Sequence, residues 1–172
     1  KVVSDKLRIY GLDSFKISMV KILAITLQLW VIITAVYLIS YIISEKFQLY
    51  FVYFEGYAIV VFLLLCLAMA TYIHAVYSLC QSGYQGTTIL LMTYVIMVIG
   101  SGIIVPITYL PDFFAGLAKF MPAYQWNQMC QKIIFDEMNG MDITMLLLQI
   151  AFWLGIGVIG TWKNTQCGLD SY

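Results

Sequence analysis

The sequence predicts an all-α polytopic membrane protein, with four transmembrane helices and a re-entrant helical hairpin before the last one. Three observations carry this. Hydrophobic residues make up 62% of the 172 and charged residues only 10%, against about 25% charge in an ordinary soluble domain. Residues 22–43 and 143–162 hold no charge, and between residues 56 and 111 only His74 can carry one. All three prolines fall within residues 100–126, in an otherwise apolar setting.

A helix facing water needs a polar side, and these stretches have none. A crossing of the hydrocarbon takes roughly 20 predominantly apolar residues. The first and last stretches therefore hold one span each, at residues 19–44 and 143–162, and the middle stretch is long enough for two. The polar sequence QSGYQG at 81–86 divides it, because glycine and glutamine suit an interfacial turn; the two spans are then residues 57–80 and 87–104. The first span is too long for a secretory signal and no small-residue cleavage site follows it.

Lysine and arginine concentrate on the cytoplasmic side of a membrane. Four spans place both ends of the chain and residues 81–86 on one side, with Lys1, Lys6, Arg8, Lys16, Lys21 and Lys163, and leave Lys46, Lys119 and Lys132 on the other. Six against three predicts a multi-pass protein of the cell membrane, a bacterial plasma membrane, with both termini cytoplasmic. The formal net charge is zero and there is no basic stripe, so nothing points to a nucleic-acid partner. Cys66, Cys80, Cys130 and Cys167 have no metal or redox spacing and read as packing residues.

The prolines and glycines set the chain path between the last two spans. Non-helical backbone survives at membrane depth only where protein covers it or a wet cavity solvates it. Gly100, Gly102 and Pro106 stop the third helix from running regularly far past Ile104. Pro111 and Pro122 suit the first turns of two new helices, where the missing N–H costs little, and they push Leu110 and Met121 toward extended backbone. The first new helix, residues 111–120, is only about 15 Å long, half the hydrocarbon thickness, so it cannot span. The second, residues 122–138, sets Trp126, Met129, Cys130 and Ile133 against Gln125, Gln128, Lys132 and Asp136 on the opposite face, an interfacial pattern. Residues 106–141 thus read as a broken re-entrant hairpin at the outer face; an extracellular loop with two surface helices is the alternative. Tyr109, Phe113, Phe114, Phe120, Tyr124 and Trp126 suit the headgroup level in both.

The order of a membrane helix, SG at 101–102, PITYLP at 106–111, a short aromatic helix, FMP at 120–122, an amphipathic helix and a final span resembles the membrane subunit of ABC exporters, the ABC type-2 permeases. The resemblance covers nearly the whole chain and rests on proline and glycine spacing. It implies short re-entrant helices at the outer face, with Gly100, Gly102, Pro106, Pro111 and Pro122 shaping the gate. It also implies a six-spanning protein, of which this chain, beginning at Lys1 without a methionine, is the C-terminal four-helix portion.

Residues 1–16 are expected to form a cytoplasmic coupling segment, and residues 17–172 the transmembrane domain. Val3, Leu7 and Tyr10 lie on one flank of a short amphipathic helix, with Asp5, Lys6 and Arg8 on others and Gly11 ending it; Asp13 or Ser14 can cap the next helix. The segment is similar to the family's coupling helix, which rests in a groove of an ATP-binding-cassette ATPase. Apolar anchors and an arginine suit such a groove; an interfacial helix on anionic lipid would use the same basic residues.

No phosphate-binding G-x-x-x-x-G-K-[ST] occurs, because Gly83 and Gly86 before Thr87 and Thr88 lack the lysine. The chain is therefore not an enzyme by itself. It holds no catalytic or metal site and no cofactor, and the resemblance puts ATP and magnesium on the separate ATPase. His74 with Thr71 and Ser78 forms a polar stripe at helical spacing, read as interhelical packing, and the acids Asp136, Glu137 and Asp142 lie a bilayer away. Gln28, Thr34, Tyr37, Tyr41 and Gln149 are candidates for lining a path, and Ser44 continues the stripe; Ala151, Gly155, Gly157 and Gly160 allow close backbone approach. The function expected is the permease subunit of an ATP-driven exporter. Its partners would be the ATPase, a second permease copy (identical or related) and membrane lipid. A non-transporting membrane scaffold or sensor subunit is the alternative.

Overall fold

A computed structural model describes residues 14–47, 56–80, 82–102, 104, 106–135 and 137–169. Helices account for nearly all of them: α1 (Ser14–Phe47), α2 (Gly56–Leu79), α3 (Gly83–Gly100), a 3-10 turn (Ile107–Tyr109), α4 (Asp112–Lys119), α5 (Pro122–Ile134) and α6 (Gly140–Leu169). No strand occurs among the described residues. Four of the helices are long and apolar enough to cross a membrane, over Phe15–Phe47, Gly56–Leu79, Gly83–Gly100 and Gly140–Lys163.

The central helix is α2, which packs against α1, α3, α5 and α6 and most extensively against α6. Small residues make this possible. A Cβ on Gly157 would lie 2.8 Å from the His74 ring carbon Cδ2, and one on Gly160 would lie 3.0 Å from the backbone carbonyl carbon of Ser78. Ala75 is fully buried beside them. Gly155, expected in the same stripe, has open space around it, because its position turns it off the seam. The helix α1 joins this pair near its start, where Ile17, Ser18, Ile22 and Thr26 are buried and the Ser18 hydroxyl donates to Thr161 Oγ1 at 3.3 Å. Beyond Thr26 most of its large apolar side chains are exposed, as expected of a surface whose solvent is lipid.

The polar sequence at 81–86 is shorter as a turn than expected. Helix resumes at Gly83, because Ser82, in extended backbone, accepts from the Gln85 N–H at 3.3 Å and caps the new helix. Gly86 is buried within this first turn against the Tyr77 ring, whose hydroxyl lies 3.0 Å from Thr87 Oγ1. At its other end α3 stops at Gly100, four residues before the expected limit. A Cβ at Gly100 would meet the Ala118 Cβ at 2.6 Å, and Gly102 has φ +82°, a backbone that favours glycine.

Each proline marks a break. Pro106 opens the 3-10 turn, Pro111 is the N-cap of α4 rather than its first helical residue, and Pro122 begins α5. Leu110 and Met121 are extended, with ψ of 142° and 139°. Both short helices end earlier than expected, α4 at Lys119 and α5 at Ile134.

Candidate functional site

The α4–α5 pair and the helix faces it touches bring the candidate residues together. Ala118, near the end of α4, sits on Gly100 at the end of α3. In the turn that follows, the Phe120 carbonyl accepts from Gln149 Nε2 at 2.9 Å. Gln149 lies nine residues beyond Gly140, about 14 Å along α6 at 1.5 Å per residue. Met121 and Ala123 pack against the cluster of Tyr72, Val76 and Met97, with Trp153 from α6. From this level α5 returns: Met129 and Ile133 enter a core with Ala58, Val61, Leu65, Ala68, Leu146 and Ile150. At its far end Lys132 pairs with Asp142 in the first turn of α6. Phe120 meeting Gln149, and Lys132 meeting Asp142, make α5 antiparallel to α6.

Backbone exposed by the break in α3 finds partners here. The Ser101 N–H donates to Met97 O at 2.8 Å, and the Ser101 carbonyl, left without a helical donor, accepts from Asn127 Nδ2 at 2.7 Å. Such a carbonyl buried without a partner costs about 1–3 kcal/mol. Asp142 also accepts from the Asn139 N–H at 3.0 Å, so one carboxylate caps α6 and holds the Lys132 ammonium.

Of the expected gate residues, Gly100 and Gly102 lie at the end of α3, and Pro106, Pro111 and Pro122 punctuate the return path. Gln149 touches the pair directly. The α1 residues do not gather with it as a polar stripe: Gln28 and Thr34 are exposed, Tyr37 and Tyr41 are half-buried, and Ser44 is buried. The Thr34 hydroxyl bonds its own helix at Trp30 O, 2.9 Å away. Val3, Leu7, Arg8, Tyr10 and Gly11 lie outside the described residues, as does Asp136. The partners that sequence reasoning missed are Asn127, the Lys132–Asp142 pair and the Gln149 contact; each links residues 10 to 29 apart, which no helical period encodes.

A family model described as ABC-2 family transporter protein matches residues 3–159, most of the chain. The chain belongs to this family. It is accordingly the membrane domain of an ABC-2 transporter, a multi-pass protein with four candidate spans. Comparisons with curated proteins and with solved structures each return no match.

ABC-2 permease domains have no catalytic activity of their own. No group of three or more His, Cys, Asp or Glu residues able to hold a metal occurs among the described residues. His74 is buried against Gly157 in the α2–α6 seam, while Thr71 and Ser78 donate to Ala68 O at 2.9 Å and Ala75 O at 2.7 Å within their own helix. Cys66, Cys80 and Cys130 are free thiols.

Proposed function

We propose that this ABC-2 permease domain forms half of the translocation path of an ATP-driven exporter, with α4 and α5 as a re-entrant hairpin at the outer face. The supporting observation is the level of the Phe120–Met121 turn. Its bonds and contacts are to Gln149 and Trp153 within α6, to Tyr72 within α2 and to Met97 in the last turn of α3, whereas Lys132 meets Asp142 near the start of α6. A segment entering part-way and returning needs its irregular backbone covered by protein, and Gln149 and Asn127 supply that cover.

In this reading both termini are cytoplasmic. Residues 1–16 dock an ATP-binding-cassette ATPase through Val3, Leu7, Arg8, Tyr10 and Gly11, and two permease copies, identical or related, enclose the path. ATP and magnesium act on the ATPase. Its closure moves the coupling segments, and the long helices carry the motion outward to Gly100, Gly102 and the three prolines. Gln28, Thr34, Tyr37, Tyr41 and Gln149 are the polar positions available to line the route.

Two measurements test this. In the full-length protein in intact cells, single cysteines at Lys119 and Glu137 are expected to react with impermeant reagent from outside only, Lys119 more slowly; labelling of Lys119 from the cytosol alone would refute the hairpin. Replacing Leu7, Arg8 and Tyr10 by alanine is expected to abolish co-purification of the ATPase and coupled hydrolysis. Unchanged complex formation would remove the docking role.

A further inference from the structure

Unmet polar atoms are not spread evenly through this domain. Among the described residues four buried side-chain atoms lack a hydrogen-bond partner: the Tyr72 hydroxyl, His74 Nε2, Gln149 Oε1 and Trp153 Nε1. Three of them belong to residues that touch the Phe120–Met121 turn or the cluster it packs into. Gln149 donates through Nε2 to the Phe120 carbonyl, while its own oxygen meets nothing. Trp153, one turn further along α6, and Tyr72 of α2 share a cluster with Met121 and Ala123, their rings crossing edge to face with centroids 4.8 Å apart. That contact fixes the rings but offers the indole N–H no oxygen. The Tyr72 hydroxyl lies beside Thr93 of α3 without a hydrogen bond to it, and Thr93 gives its own proton to the Ile89 and Leu90 carbonyls, at 3.0 and 3.1 Å.

A buried polar atom without a partner raises the free energy of the arrangement that buries it, by as much as a hydrogen bond lowers it or more. With the turn seated against α2 and α6, the bonds from Gln149 to Phe120 and from Asn127 to Ser101 favour that position, and the three unmet atoms oppose it. We propose that Tyr72, Gln149 and Trp153 keep the α4–α5 turn close to balance between two positions: seated, it shuts their three polar atoms away from water, and lifted, it lets water reach them. They act as positioning residues, biasing the turn through what burial withholds from them. For its use this balance rests on the gate reading proposed above, but it exists and is measured without ATPase or flux. A failed export reading would leave it standing, and its own failure would leave export untouched.

Two substitutions that delete an unmet atom and keep the ring test this in the full-length protein in phosphatidylcholine nanodiscs. Hydrogen exchange is followed at the amides of Phe120, Met121 and Tyr124, which donate to the Leu117, Ala118 and Met121 carbonyls in the seated turn, and at Ala75 and Val158 in the two helices of the α2–α6 seam. One variant is Tyr72→Phe. In the other, Trp153 is replaced by its benzothiophene analogue, which carries sulfur where the indole has N–H. Each is expected to slow exchange of the turn about fivefold, and the two together by about the product, with the seam unchanged. The sign is diagnostic, because removing a group that merely held the turn in place would speed its exchange. Slowing by either variant supports the role of that residue. Unchanged or faster exchange of the turn in both, or a slowing shared equally by the seam, would overturn the proposal.

Discussion

The α2–α6 seam and the α4–α5 pair are held by different physics. In the seam, two helices approach until Gly157 and Gly160 lie against His74, Ala75 and Ser78, with no room for a further carbon. The short pair also buries Met129 and Ile133, but its ends are fixed by directional bonds from single side chains: Gln149 to Phe120, Asn127 to Ser101, Lys132 to Asp142. Lipid supplies no hydrophobic drive between helices, so close packing is what a permanent contact requires. A few separable hydrogen bonds suit an element that changes place. On the gate reading proposed above, α2–α6 would be the frame and α4–α5 the part that moves against it.

Substitutions can break this contrast. The largest effect is expected from Gly160→Val, because its new carbons meet the Ser78 backbone, which cannot swing aside; a loss of about 3 kcal/mol would appear as a large fall in thermal stability of the purified protein. Gly102→Ala is next. At φ +82° a Cβ adds about 1–2 kcal/mol of strain, expected to loosen the α3–α4 connection, seen as faster local hydrogen exchange with the seam still protected.

Asn127→Leu and Gln149→Leu each leave one carbonyl unmet, at about 1 kcal/mol. They sharpen the comparison when made with a reporter cysteine at Lys119: labelling is expected to accelerate several-fold while the melting temperature barely moves. An equal loss of global stability would show that the pair belongs to the frame. The smallest effect is expected from Lys132→Ala. A partly exposed ion pair contributes about 0.5–1 kcal/mol, and the change should be visible in low salt and fade as salt is added.

How much of this was legible in the chain follows from what each feature depends on. Absent charge is a local property, so the four long helices could be read directly, as could the extended backbone at Leu110 and Met121 before their prolines. The resumption of helix at Gly83 was hidden because glycines and glutamines read as a turn, while one hydroxyl, on Ser82, caps the helix. Along α1, spacing gave no sign that the Thr34 hydroxyl bonds the Trp30 carbonyl of its own helix. Gln149 was conspicuous as an amide in an apolar helix, but its partner is a backbone carbonyl 29 residues away, which has no sequence signature.

Chain order gives the Gln149 and Asp142 contacts a consequence for biosynthesis. Its anchors on α6 lie downstream of the short pair, so when the ribosome has delivered α4 and α5 only the partners on α2 and α3 and the Ser101 carbonyl are already made. On the re-entrant reading proposed above, the pair would gain its last two anchors only once α6 has entered the bilayer.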